Sequence, residues 1–466
     1  MTNADIRVGL LPLYVDLYDR VRPETRKQVE QFRDEVRQAL EKKGLQVASS
    51  DVCTLAPHFD RAISEFEKQS VDLLITLHLA YSPSGESAER LAKTPLPILM
   101  LDTTPRFDFG PATDPEDLMY NHGIHGLQDL ASVLRRKGRR VAIEAGHLVE
   151  SDVLDRAVAW ARAGKALRRL RTGRVARIGK VFAGMDDFAV TPEVLREKLG
   201  PETIDAMPKD LVHLVPDAKD QEVAAEIEAD RWRFDASGID HDLHLAAVRA
   251  GVALRRFIER ERLTGITMNF ESFDADCGMP TVPFLEVSKA MARGIGYAGE
   301  NDALCAAFVG ALMAGFEGVT FTEMFCPHWK RGAVFLSHMG EFNLAVAAHK
   351  PVLLANPLPY VGTAAPALAA CSPRPGPGVF VNLAPGPDDT FGLILAPVDV
   401  LEEPEDSNFH ERIRGWIKPR LSLERFLEAY SYAGGTHHAA LVLGDCLPDL
   451  QKLAFLANMP CETIGG

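Results

Sequence analysis

The chain predicts an α/β protein: two Rossmann-like α/β domains followed by a β-rich C-terminal domain. Three observations carry this. Through the N-terminal third, apolar runs of strand length alternate with amphipathic stretches, and such βαβα order implies a parallel sheet with helices on both faces. A β-like run opening at Arg174 starts a second α/β unit. From Gly318 onward proline and glycine become dense and short apolar runs recur, which is the texture of β structure. At 466 residues the chain is too long for one ordinary core, and the expected domains are 1–165, 166–318 and 319–466.

In order, Arg7 to Tyr14 is an apolar strand, and Glu24 to Lys43 is a charged amphipathic helix that ends near Gly44. Leu45 to Ala48 is a short strand and His58 to Gln69 is helical. Val71 to Leu79 and Ile98 to Asp102 are apolar runs of strand length. Glu150 to Leu170 is a long helix whose basic face is a solvated face. Arg174 to Phe182 is β-like, and Pro192 to Asp230 is charged and helical in tendency. His241 to Leu263 is a helix, Gly265 to Phe270 a strand, and Pro283 to Arg293 and Ala303 to Ala314 are helices. Beyond Gly318 the runs Val352 to Leu354, Val379 to Leu383 and Thr390 to Pro397 predict strands. Helices are expected only at Ser422 to Tyr430 and near Leu447 to Leu456.

Composition is that of a soluble globular protein, 46% hydrophobic and 25% charged. The net charge of -14 argues against nucleic acid or an anionic membrane as partner and leaves a neutral sugar open. No signal peptide and no membrane-spanning run are expected. Seven scattered cysteines, never spaced CxxC, fit reduced thiols in a cytoplasm.

Four short segments stand out: Gly-Tyr-Ala-Gly-Glu300-Asn-Asp, Thr-Phe-Thr-Glu323-Met-Phe, Leu-Ser-His338-Met-Gly-Glu and Tyr-Ala-Gly-Gly-Thr-His-His438. Glu300, Glu323, His338 and His438 form a mixed O/N donor set that suits a divalent ion such as Mn²⁺, with positions left open for substrate oxygens. Cysteine takes no part, and Cys326 and His328 lack the second matched pair a zinc site needs. The set points to metal-assisted proton transfer on a polyol. Taken singly, Glu300 could serve the dipole of the helix after it, and His338 could be a satisfied core histidine. Glu323 ends a β-branched, aromatic strand, where a buried carboxylate is costly unless paired or on a metal. Adjacent side chains on an extended chain point oppositely, so His438 is preferred as ligand and His437 is expected to orient a ligand or substrate.

Gly294-Ile-Gly296-Tyr-Ala-Gly299 matches a dinucleotide fingerprint in letters only, because a helix rather than a strand precedes it. A tight turn delivering Glu300 is the expectation. Asn121-His122-Gly-Ile-His125-Gly is expected in a loop after the first sheet, where ligands of parallel sheets bind. No serine-hydrolase elbow, HExxH or phosphate-binding loop occurs.

At these segments the chain resembles the L-arabinose isomerase family, part of the arabinose/fucose isomerase superfamily. The family pattern runs Gly-Phe-Ala-Gly-Glu-Gly-Asp, Phe-Met-Glu-Asp, Gly-Ser-His-Met-Leu-Glu and Ala-Gly-Gly-Ala-His-His. Order and approximate spacing agree over roughly residues 265 to 440, and Asn121-His-Gly-Ile-His125-Gly matches more weakly. The resemblance implies that Glu300, Glu323, His338 and His438 are metal ligands and that Glu300 and Glu323 are the acid/base pair. It implies His125 as a substrate-binding histidine of the N-terminal domain and Phe270 as a pocket wall. It also implies a homo-oligomer, a hexamer or other trimer-based assembly, with active sites completed by a neighbouring subunit. The departures are Leu11 where the family carries a sugar-contacting glutamine, Met324 where it carries aspartate, and a longer loop from Ser272 to Pro280. Leu11 would alter which sugar is rejected by hydrogen bonding.

The implied activity is aldose–ketose isomerisation of a free sugar (L-arabinose, D-galactose or a related pentose or hexose) through an ene-diol. A related epimerase, an isomerase of a modified sugar, and a non-catalytic sugar-binding scaffold are the alternatives. A neutral histidine ligand loses its metal on protonation, so activity is expected to fall below about pH 6.

Overall fold

Strands buried on both faces must be apolar throughout, and the first sheet is built from such runs. In the computed structural model, which describes residues 3–359, 361–403 and 407–466, the chain divides into two compact units. The first comprises Met1–Leu167 with Phe455–Asn458, and the second Arg168–Ala454 with Met459–Gly466.

In the first unit, β1 (Arg7–Leu13), β2 (Gln46–Ser49), β3 (Leu73–His78), β4 (Ile98–Asp102) and β5 (Ala142–Ala145) form a sheet ordered β2-β1-β3-β4-β5. Every pair is parallel. This is a doubly wound order, with one apolar core on each face. Val8, Leu10, Ile75 and Leu77 face one core; Leu11, Leu13, Leu74 and Met100 face the other. His125 lies on the helix Gly123–Arg136, which starts inside the segment expected as a loop. The loop expected around it is therefore largely helical. Gly123 and Gly126 allow that early start, since a Cβ on Gly123 would meet the His78 carbonyl oxygen at 2.1 Å, and one on Gly126 the Ser82 Oγ at 2.4 Å.

The second unit opens with β6 (Arg174–Ile178), β7 (Glu202–Ala206), β8 (Gly265–Met268) and β9 (Gly296–Gly299), all parallel in the order β7-β6-β8-β9. Two expectations are corrected here. The region from 192 to 230 contains strand β7 besides its helices. The Gly-rich segment is not one tight turn: Gly294 turns at φ 87°, Gly296–Gly299 is a buried strand, and the turn that carries Glu300 comes after it. Glycine at 296 is required by close helix approach, because its Cβ would sit 2.2 Å from the Ala306 carbonyl oxygen.

The helix Ala303–Gly315 follows β9 and is buried along its whole length. It packs on β8 and β9 and also touches β10 (Val319–His328). The remaining strands are β11 (Ala333–Ser337), β12 (Val352–Ala355), β13 (Ala367–Ala370), β14 (Gly376–Pro385), β15 (Phe391–Val400), β16 (Gly415–Pro419), β17 (His438–Leu443) and β18 (Cys461–Thr463). Strands β14-β17-β10-β11-β16-β15 pair antiparallel in that order, and β15 returns to β14, closing a six-stranded barrel. Closure removes the sheet edges; β18 adds in parallel beside β15, and β12 and β13 form a separate hairpin pair. No described helix is long and apolar enough to cross a membrane.

Candidate metal centre

Strand β9 ends at Gly299 and the backbone then enters the left-handed region twice, at Glu300 (φ 50°) and Asn301 (φ 66°). Asparagine tolerates this conformation, whereas glutamate seldom adopts it, at a cost on the order of 1–3 kcal/mol. The turn is pinned on both sides. Asn301 Nδ2 donates to the carbonyls of Gly179 (2.9 Å) and Lys180 (2.8 Å), and Asp302 Oδ1 caps the next helix by accepting from Cys305 N (2.8 Å). Glu300 thus follows the carboxyl end of a parallel strand, where such sheets carry their sites.

The barrel supplies the imidazoles. His338 follows β11 and His438 opens β17. Glu300 Oε2 lies 2.9 Å from His438 Nε2 and 3.4 Å from His338 Nε2. Among the described residues these three form the one cluster of His, Cys, Asp and Glu donors within 4.8 Å of one another, and all three are buried. Each imidazole is held from behind. His438 Nδ1 is 2.9 Å from Asp302 Oδ2, and His338 Nδ1 is 2.7 Å from Glu341 Oε2. A carboxylate only accepts, so Nδ1 carries the proton and Nε2 of the neutral ring is left as a lone pair. Aromatic walls fix the rings: Phe321 meets His338 and His438 edge-on at 4.7 and 5.1 Å, and Phe188 stacks on His438 at 5.0 Å. A Cβ at Gly299 would stand 2.6 Å from His338 Cε1, so glycine there makes room for the ring.

These donors fit a divalent ion. Glu300 Oε2 and His438 Nε2 are buried 2.9 Å apart, and with the imidazole neutral and protonated at Nδ1 neither has a hydrogen-bond partner. Orphaned polar atoms at such a depth are costly unless something else satisfies them. The 2.9 and 3.4 Å separations from Glu300 Oε2 keep all three donors close enough for one ion to be held between them. The electrostatics agree. Burial pushes the Glu300 carboxyl up, but His338 and His438 outweigh it and hold it far below the usual carboxylate range. Burial lowers His438 while Asp302 and Glu300 raise it further, to about 9; His338 is likewise raised by Glu341 and Glu300 against its burial. Without a cation, protons gather where one would sit.

Glu323 is half-buried on β10, directly across the ladder from His438 on one side and Ser337 on the other. It lies outside the three-donor cluster, and burial raises its carboxyl above the ordinary value. His437 has an unforeseen partner: Asp187 Oδ2 accepts from His437 N (3.0 Å) and Nδ1 (2.7 Å). Those bonds outweigh burial and lower the Asp187 carboxyl. Phe270 is buried with its ring 5.7 Å from Phe182. In the first unit, His125 is exposed, with its ring 5.7 Å from that of His122. Leu11 is fully buried among Leu13, Phe59, Ile63 and Leu74, so its side chain faces core and not a ligand. Asp302, Glu341 and Asp187 were not singled out from sequence; the first two stand two and three residues from a candidate ligand, which is the only local signal they give.

Comparison with known proteins places these elements in a family. The L-arabinose isomerase central-domain family model matches residues 177–316 and the C-terminal-domain model matches residues 318–460. L-arabinose isomerase of Herpetosiphon aurantiacus is 28% identical over 408 residues, which covers 84% of this chain and 80% of that protein. The enzyme of that name from Geobacillus kaustophilus is 27% identical over the same shares. That of Shouchella clausii is 26% identical over 473 residues, covering 98% of this chain and 93% of its own. Two domain models matched in succession, beside relatives aligned over most of their length, establish that the chain belongs to the L-arabinose isomerase family of aldose–ketose isomerases.

Proposed function

We propose that this protein interconverts a free aldose and its ketose through an ene-diol, with a divalent ion, Mn²⁺ first among candidates, held by Glu300, His338, His438 and Glu323. The observation that carries the reading is the convergence of Glu300 Oε2 with two histidine Nε2 atoms in a chain of this family. When bound, the ion would supply Lewis-acid stabilisation of charge developing on the sugar oxygens. The two glutamates sit in different surroundings: two histidines hold Glu300 below the usual carboxylate range, while burial raises Glu323, and we assign them different parts on that basis. Glu323 therefore moves the proton between C2 and C1, and Glu300 accepts from the neighbouring hydroxyl. Asp187 fixes Nδ1 of His437 as donor, which leaves the other ring nitrogen to take a sugar hydroxyl.

Phe270 is proposed as a wall of the sugar pocket and His125 as a sugar contact, the latter resting on the family resemblance. Homo-oligomeric assembly rests on the same resemblance, and a cytoplasmic location on the free state of all seven cysteines. Leu11, buried in the core, supplies no support for the epimerase alternative. The test is a product scan: Mn²⁺-loaded protein with a panel of pentoses, hexoses and 6-deoxyhexoses, products separated by chromatography. A ketose from an L-arabinose-like or D-galactose-like aldose is expected. An epimer, or no turnover across the panel, would overturn the isomerase reading.

A further inference from the structure

Behind His338 the polar chain continues one residue further than behind His438. Tyr297, on β9, is 1% exposed, and its hydroxyl donates to Glu341 Oε1. Glu341 is equally buried, and its other oxygen accepts from His338 Nδ1 at 2.7 Å and from Gly340 N at 2.8 Å. The Asp302 carboxylate behind His438 is steadied by a backbone donor, Cys305 N, and by no phenol. The Tyr297 ring also meets Phe321 edge-on at 5.5 Å, and Phe321 in turn meets both imidazoles. Tyr297 thus touches the centre by two routes, one polar and one aromatic, without reaching the donor atoms.

A carboxylate behind a ligand imidazole sets the ring's orientation and raises its donor strength. That carboxylate can do so only if its own plane is held. With the phenol removed, Glu341 Oε1 would be buried without a partner, and the carboxylate would reorient to satisfy it. That reorientation loosens the grip on His338 Nδ1. We propose that Tyr297 is a positioning residue of the metal centre: through Glu341 it fixes the orientation and donor strength of His338, and so sets the affinity for the divalent ion. This rests on the metal reading of Glu300, His338 and His438 given above.

The test measures metal, not turnover. Metal-free wild type, Y297F, E341Q and the double variant are titrated with Mn²⁺ by calorimetry, and Co²⁺-loaded samples are compared by visible absorption. Y297F is expected to bind Mn²⁺ about tenfold more weakly, the low end for a residue behind a ligand, and to shift the Co²⁺ bands. In the E341Q background the tyrosine substitution should have little further effect, since its route is through Glu341. Melting of the metal-free proteins separates a merely structural role: a lower Tm with unchanged affinity and unchanged Co²⁺ bands overturns the proposal. If Y297F does not fold, Tyr297→3-fluorotyrosine keeps the shape and makes the hydroxyl a stronger donor; unmoved Co²⁺ bands there overturn it as well. A wild-type protein that binds neither ion overturns the metal reading and this proposal together. Wild-type binding that H338A weakens but Y297F does not overturns this proposal alone.

Discussion

Glu300 and Glu323 reach one site from opposite electrostatic situations, so their amide variants should fail in different ways. Glu300→Gln removes the oxygen nearest both imidazoles and is expected to lose most divalent-ion affinity together with activity. Glu323→Gln is expected to retain more affinity while turnover falls about 10²–10⁴-fold, the range for loss of a general acid–base group. Calorimetric binding beside kcat for the pair checks this; equal loss of binding in both would contradict the division of roles. Gly299→Ala would press a methyl onto His338, and an Mn²⁺-induced rise in Tm should be absent or much reduced in that variant. The pH dependence follows from His438, whose pKa is raised from about 6.5 to about 9. A raised histidine stabilises the metal-free fold fully below about pH 6.5, and that contribution is lost as pH rises through about 9. Metal binding runs the other way, since the ion needs the neutral ring. Apparent Mn²⁺ affinity should climb from pH 6 to pH 8, by up to about tenfold per unit for each proton displaced. Affinity that stays flat over that range would count against histidine ligation. The three donors that the fold brings together, Glu300, His338 and His438, were legible because each stands in a short segment of unusual texture, whereas Glu323, read the same way, lies outside their cluster. Asp187 was not legible, because it lies 250 residues from His437 and only tertiary folding joins them.

At the scale of elements, Asp302 shows how one residue can serve a helix and a site. Its Oδ1 caps Ala303–Gly315 and its Oδ2 backs His438. Asp302→Asn keeps an oxygen for the cap but turns an amide N–H toward His438. It should weaken Mn²⁺ binding about 10–100-fold. Asp302→Ala should also cost about 1 kcal/mol for the cap, readable by denaturant unfolding. Two strands that sequence reading missed, β5 and β7, share a cause: each is at a sheet edge, short and only partly buried, so neither carries a continuous apolar run. The central strands β1, β3 and β4 are almost wholly buried and were visible as runs. β9 was taken for a turn because Gly296 answers to a neighbouring helix and Gly299 to the His338 ring, partners that local pattern does not reveal.

Across the whole second unit, the centre exists because a parallel sheet and a closed barrel each deliver part of it. β9 leads into Glu300, β11 leads into His338 and β17 opens with His438, while Glu323 lies across the ladder from His438 on β10. The β-rich character of this region was legible from its short apolar runs and dense proline. Closure of the barrel was not, since it depends on the β14–β15 pairing register as well as on composition. Because the donors come from distant parts of the chain, an ion bound among them should stabilise the fold as a whole. At about 100 times Kd the gain would be about 2.7 kcal/mol, seen as a Tm raised by Mn²⁺ and lowered by EDTA. Proton transfer on a sugar at this centre would carry solvent deuterium into the product. Protein loaded with Mn²⁺ and the responsive aldose from the product scan are incubated in D₂O, with EDTA-treated protein and E300Q alongside, and NMR follows C1 and C2. The prediction is metal-dependent ketose formation with deuterium entering C1 or C2, absent from both controls. Ketose formation that persists undiminished in metal-free protein or in E300Q would contradict it.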